Sequence, residues 1–183
     1  MSLRLKPGVI CFSSFIGAGK SRLTVSLSEF LEWPHTSFGD YVRETARKRG
    51  AGESREILQQ IGEELVSTSL EPFTRAVASR VAWREGCIFD GLRHVQVLDT
   101  IKNIVNPLPV FVVFIDVEEQ IRRRRLLDRG MTEKEIDDAD RHTTEIQVRT
   151  AIRDRADLRV NGNENIPQLV NDISTFLAEQ LSF

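Results

Sequence analysis

The stretch Val9-Ile10-Cys11-Phe12-Ser13-Ser14-Phe15-Ile16-Gly17-Ala18-Gly19-Lys20-Ser21 constrains the fold more than any other part of the chain. Its first residues form an apolar run of strand character, and a turn of small residues follows. From Arg22 to Leu31, the residues Leu23, Leu27, Phe30 and Leu31 then recur at helical spacing. A strand that feeds through such a turn into a helix aims successive backbone N–H groups and the positive helix N-terminus at one point, which makes an anion cradle. Ile16, Gly17, Ala18, Gly19, Lys20 and Ser21 are therefore expected to hold the phosphates of ATP. Lys20 would reach the β- and γ-phosphates, and the Ser21 hydroxyl would hold Mg²⁺. The loop departs from G-x-x-x-x-G-K-[ST] at Ser14, which stands in place of the first glycine and tolerates unusual backbone angles less well.

Four further apolar runs follow Val9–Phe12, namely His35–Phe38, Cys87–Phe89, Val110–Ile115 and Leu158–Val160, with helical patterns between them. That alternation predicts an α/β protein whose five-stranded parallel sheet is covered by helices on both faces, with the site at the carboxyl ends of the strands. At 183 residues, 40% hydrophobic and 28% charged, the chain suits one domain with small appendages. A net charge of −2 gives no general attraction to nucleic acid or to an anionic membrane. The longest apolar run is too short for a membrane span and no signal-peptide core precedes the first strand, so the expected location is cytoplasmic. Cys11 and Cys87 fall in apolar runs and are expected to be buried and reduced, and neither they nor the three histidines have metal-site spacing.

The segments just after the strands carry the remaining candidates. Gly39-Asp40-Tyr41-Val42-Arg43 puts Asp40 and Arg43 on one helix face. Asp90-Gly91-Leu92-Arg93 puts Asp90 where an acid would orient Mg²⁺, with Arg93 beside it to grip an acceptor phosphate alongside Arg43. In the run Arg122 to Arg125, consecutive side chains point about 100° apart. Arg125 and Arg129 share a face and form the expected nucleotide pair, whereas the other arginines are expected to face solvent. Thr132 and Glu135 predict a capping box that opens a helix running to about Arg155.

Taken in order, Ile16–Ser21, Phe38–Arg43, Asp90–Arg93, Arg125–Gly130 and Asp140-Arg141 resemble the nucleoside monophosphate kinase superfamily of P-loop kinases. The likeness is to its adenylate-kinase-like and dephospho-CoA-kinase-like members, including an archaeal group of nucleotide kinases. Near the C-terminus, 156–162 are similar to the last strand and purine-side loop of dephospho-CoA kinases. The resemblance implies a three-layer αβα P-loop fold in a single domain, with a helical acceptor-binding segment at about 40–84 and a short lid at about 129–141. It further implies that Asp40, Arg43 and Arg93 face the acceptor, that Arg125 flanks the adenine, and that Arg129 and Arg141 are lid arginines on the transferring phosphates.

The expected activity is transfer of the γ-phosphate of ATP, with Mg²⁺, to a small nucleotide-like acceptor, with a nucleoside monophosphate favoured. A phosphate acceptor is already ionised at neutral pH and needs arginines rather than a base. Asp40 keeps open a ribose-hydroxyl acceptor, as in dephospho-CoA kinases, and the substitutions at Ser14 and Phe15 keep open a non-catalytic ATP-binding module. A GTPase would need Asn/Thr-Lys-x-Asp and Asp-x-x-Gly, and the chain contains neither.

Overall fold

A computed structural model describes residues 5–182. The strands are β1 (Val9–Ser14), β2 (His35–Ser37), β3 (Cys87–Asp90), β4 (Val110–Asp116) and β5 (Leu158–Asn161). They form one parallel sheet in the order β2-β3-β1-β4-β5. The phosphate-loop strand β1 is central, so the crevice where strand order reverses opens directly above the loop.

The inner strands β1, β3 and β4 bury both faces by simple alternation. Val9, Cys11, Cys87, Phe89, Val112 and Phe114 pack into one core, and Ile10, Phe12, Ile88, Val113 and Ile115 pack into the other. The first core is covered by α2 (Phe38–Lys48), α3 (Arg55–Ala78) and α4 (Val95–Val105), and the second by α1 (Lys20–Leu31) and α8 (Ile166–Leu181). Side-chain caps start several helices: Ser37 accepts from the Asp40 N–H at 3.2 Å, Ser54 from Ile57 at 3.4 Å and Asn165 from Gln168 at 2.9 Å.

The acceptor segment is two helical stretches, as its pattern suggests: within α3 the backbone leaves helical geometry at Ser69 (φ −146°, ψ 35°), a kink that divides the element. Pro72 has no N–H and its ring crowds the carbonyl four residues back, which loosens that turn. The long helix expected from the capping box, by contrast, is broken. Thr132 and Glu135 do form the box, but α6 (Glu133–Arg141) stops at His142 (φ −66°, ψ 141°). A short α7 (Thr143–Gln147), a π turn at Val148–Ile152 and a 3₁₀ turn at Arg153–Arg155 follow. The extended His142 caps the new start, its Nδ1 accepting from the Thr144 N–H at 3.4 Å. Between β4 and α6 lies α5 (Glu119–Leu127).

Candidate active site

The phosphate loop needs left-handed backbone at Gly17 (φ 81°) and Gly19 (φ 82°), not at Ser14. Ser14 lies within β1 and is buried, so the missing glycine costs the loop no backbone strain. At Gly17 a Cβ would also come within 2.8 Å of Leu126 Cγ. Gly19, at the N-cap of α1, has no side chain to cap the helix, which leaves the first N–H groups of α1 to an anion. Ile16 points away from any phosphate; its side chain packs with Leu126, Ile136 and Ala139.

Lys20 opens α1 and its ammonium pairs with Asp90 at the end of β3, with side-chain exposures of only 14% and 7%. Burial pushes the Lys20 pKa down and the Asp90 carboxylate pulls it back, while Arg93 and Arg43 add to the lowering. A lysine so placed gains from a phosphate that would share its desolvated charge. The donor set available to Mg²⁺ is Ser21 Oγ and the Asp90 carboxylate, hard oxygens that fit a cation carried mainly by phosphates and water. No cluster of three or more His, Cys, Asp or Glu side chains among the described residues makes an all-protein metal site.

On one side of Lys20 is a cavity of about 390 Å³ between the sheet edge, α2 and α3. Arg43 and Arg93 line it, as does Arg55, at the start of α3, which sequence reasoning missed. Arg93 Nη1 and Arg55 Nη2 both donate to Oε1 of Glu145 on α7, the second at 3.3 Å. The Glu145 side chain is 1% exposed, and its Oε2 and the Arg55 Nε are buried without a hydrogen-bond partner. Burial lowers the Arg55 pKa, against the pull of Glu145. Glu145 was hidden in the sequence because one uninterrupted helix was expected there; His142, the capping residue two positions before Thr144, was the available signal. Asp40, by contrast, does not line the cavity; its exposed carboxylate accepts from Arg43 Nη2 at 2.5 Å.

On the other side a cavity of about 470 Å³ is lined by Ala18, Gly19, Arg125, Arg129 and the turn after β5. Arg125 bridges its walls, donating to Ala18 O at 3.4 Å and to Gly162 O at 3.4 Å. Arg141, exposed at the end of α6, lines neither cavity. The expectation that Arg122 and Arg123 face solvent is overturned. Arg122 is 3% exposed and grips Asp140 through two bonds of 2.9 and 2.5 Å, and Arg123 ties to Glu133 and Asp137. Two arms of opposite charge, α5 and α6, therefore clamp together.

Comparisons with known proteins bear on family and fold. Residues 16–145 match the AAA domain family AAA_17. A UPF0200 protein of Thermococcus sibiricus is 26% identical over 133 residues, 68% of this chain and 68% of that protein. UMP-CMP kinase 1 of Oryza sativa subsp. japonica is 27% identical over 173 residues, 89% of this chain and 71% of that one. Among solved structures, shikimate kinase from Acinetobacter baumannii in complex with shikimate superposes with a TM-score of 0.65 at 17% identity, covering 96% of this chain and 94% of that one. A putative kinase from Chloroflexus aurantiacus gives 0.64 at 16%, covering 97% and 99%. The solved structures speak for the fold alone; the match over most of the chain carries the family. The chain belongs to the AAA domain family AAA_17 and is a P-loop kinase.

Proposed function

We propose that the chain transfers the γ-phosphoryl group of ATP to the phosphate of a nucleoside monophosphate. The observation that carries this reading is the 390 Å³ cavity in which Arg43, Arg55 and Arg93 converge beside Lys20. Three guanidiniums around one space suit an acceptor that is itself a phosphate, since phosphoryl transfer asks of the protein mainly positioning and charge neutralisation. ATP takes the other cavity, its adenine beside Arg125 and the turn at Gly162, its phosphates on the N–H groups of the loop. The identity to UMP-CMP kinase 1 supports the same choice. The hydroxyl alternative loses its proposed base, because Asp40 serves Arg43 and stands outside the cavity.

In this reading each cation of the acceptor cavity has a carboxylate partner: Lys20 on Asp90, Arg43 on Asp40, Arg55 and Arg93 on Glu145. Substrate phosphates take those places. Lys20 leaves Asp90 for the β- and γ-phosphates and so releases a carboxylate beside Ser21, where the two oxygens would hold Mg²⁺. The bound ion would supply charge neutralisation on the phosphates. Arg93 keeps one edge of its guanidinium on Glu145 and offers the other to the acceptor, so Glu145 acts as a positioning residue. Arg129 already lines the cavity taken by ATP, whereas Arg141, at the end of α6 and outside both cavities, reaches the transferring phosphates only if α6 moves.

Steady-state kinetics on single variants test the assignment. Arg43→Ala, Arg55→Ala and Arg93→Ala should raise the acceptor KM about tenfold or more with little change in the KM for ATP, and Arg125→Ala should do the reverse. Acceptor constants unchanged in all three of the first variants would reject a phosphate acceptor.

A further inference from the structure

We propose that Gln59, together with Glu63 and the bare helix surface at Gly62, holds the base of the acceptor, which makes this stretch of α3 the element that tells a nucleotide from a bare sugar phosphate. The inference rests on the reading of the acceptor as a nucleoside monophosphate. Arg55, Gln59, Gly62, Glu63 and Val66 fall on one face of α3, and all five line the 390 Å³ cavity. Gln59 lies one turn beyond Arg55, about 6 Å along the helix axis, which is the span of the sugar between a phosphate and its base.

Three independent features of that face ask for a flat heterocycle. Gln59 Nε2 is buried and has no hydrogen-bond partner, although a buried amide donor left unmade is costly. A ligand atom that accepts from it would remove that cost. At Gly62 an added Cβ would meet only Val42 Cγ2, at 3.9 Å, so the glycine leaves an open slot in the cavity wall between Gln59 and Glu63. Phe38, Val42, Leu58, Val66, Phe73 and Val97 supply the apolar part of the surrounding wall. Such side chains hold the faces of a ring.

The polar edge of the ring is matched as well. The Gln59 amide offers a donor and an acceptor, and the Glu63 carboxylate accepts only. Glu63 is steadied from the far side by Thr144, whose Oγ1 donates to its Oε1 at 3.4 Å. Every nucleobase carries an acceptor next to an N–H donor on its pairing edge. Gln59 donates to the acceptor and Glu63 takes the N–H.

Calorimetric titration of the wild type, Gln59→Leu and Gly62→Leu tests this with AMP, GMP, CMP, UMP and ribose 5-phosphate, the last keeping sugar and phosphate but lacking a base. The wild type should bind at least one of the four nucleotides tenfold or more tighter than ribose 5-phosphate. Each variant should cut that preference about tenfold while holding ribose 5-phosphate as before, with an unchanged melting temperature. A preference below tenfold in the wild type, or one that survives both substitutions, or a parallel loss of ribose 5-phosphate, overturns the assignment of Gln59. A wild type that binds none of the five phosphates rejects the phosphate acceptor itself, and this inference with it.

Discussion

At the phosphate cradle the residue that matters most for chemistry is also part of the buried electrostatics. The sequence places Lys20 in the nucleotide site and suggests that its removal spares the fold, but the structure ties it to a carboxylate that is 7% exposed. Lys20→Ala should therefore slow phosphotransfer at least a hundredfold, on the order of 3 kcal/mol in the barrier, and also cost about 3 kcal/mol of stability by stranding Asp90. Adding Asp90→Asn removes the stranded charge, so the double variant should recover its Tm and remain inactive; near-normal turnover in either variant would refute the role of Lys20. The two cysteines behave as the sequence suggests, free and buried. Burial pushes Cys87 up to about 12 from an ordinary 9.0 and pushes Cys11 up as well. The sign follows: below the unfolded pKa both states keep their protons, and above it the unfolded chain ionises first, so stability falls as pH rises from about 9 toward 12. Between those values the Tm of the wild type should drop more steeply than that of Cys11→Ala/Cys87→Ala, and equal slopes would contradict the burial of the thiols.

Among the elements, α6 departs furthest from its sequence reading. Its acidic surface, Glu133, Glu135, Asp137 and Asp138, suggests a loosely held lid, yet Ile136 is fully buried and seats the helix against Ile16 of the phosphate loop and Leu126 of α5. The acids are partners, not decoration, for Arg122 and Arg123 reach across to Asp140, Glu133 and Asp137. The lid we propose is therefore α5 and α6 clamped together across Gly130 (φ 88°), with the extended His142 as the break at its far end. That break leads straight into Thr144 and Glu145, which touch Glu63, Arg55 and Arg93, so filling the acceptor cavity bears directly on the lid. Hydrogen exchange with a bisubstrate analogue should then slow at 130–145 as well as at 17–21. Protection confined to the phosphate loop would reject closure. Ile136→Ala should raise exchange at 133–141 in the free protein without weakening acceptor binding by ribose 5-phosphate.

For the molecule as a whole, β1, β3 and β4 were legible because each is a short apolar run bounded by turn residues, and because burial on both sheet faces leaves no polar alternation to confuse the pattern; the edge strands β2 and β5, which carry the exposed His35, Arg159 and Asn161, were legible from their place in the strand–helix alternation. Lys20, Arg43 and Arg93 were legible because each follows closely on a strand end, and Arg125 because it shares a helix face with Arg129. Arg55, Gln59 and Glu145 were not, since the distance between α3 and α7 in sequence is bridged only by folding: Arg55 meets Glu145 across 90 positions. The run of arginines on α5 misled for the same reason, its acidic partners lying on the next helix. No helix among the described residues is long and apolar enough to cross a membrane. In the function proposed, the two cavities give the molecule one direction of chemistry, from ATP beside Arg125 and Gly162 to a phosphate held by Arg43, Arg55 and Arg93. Phosphorus NMR of the protein mixed with ATP, Mg²⁺ and each of AMP, GMP, CMP and UMP tests that direction most directly. ADP should grow as ATP falls while the phosphomonoester signal of at least one monophosphate falls by an equal amount, its phosphate becoming the α-phosphate of a second nucleoside diphosphate. Monophosphate signals that stay constant in all four mixtures, with a new phosphomonoester signal growing from dephospho-CoA instead, would contradict it.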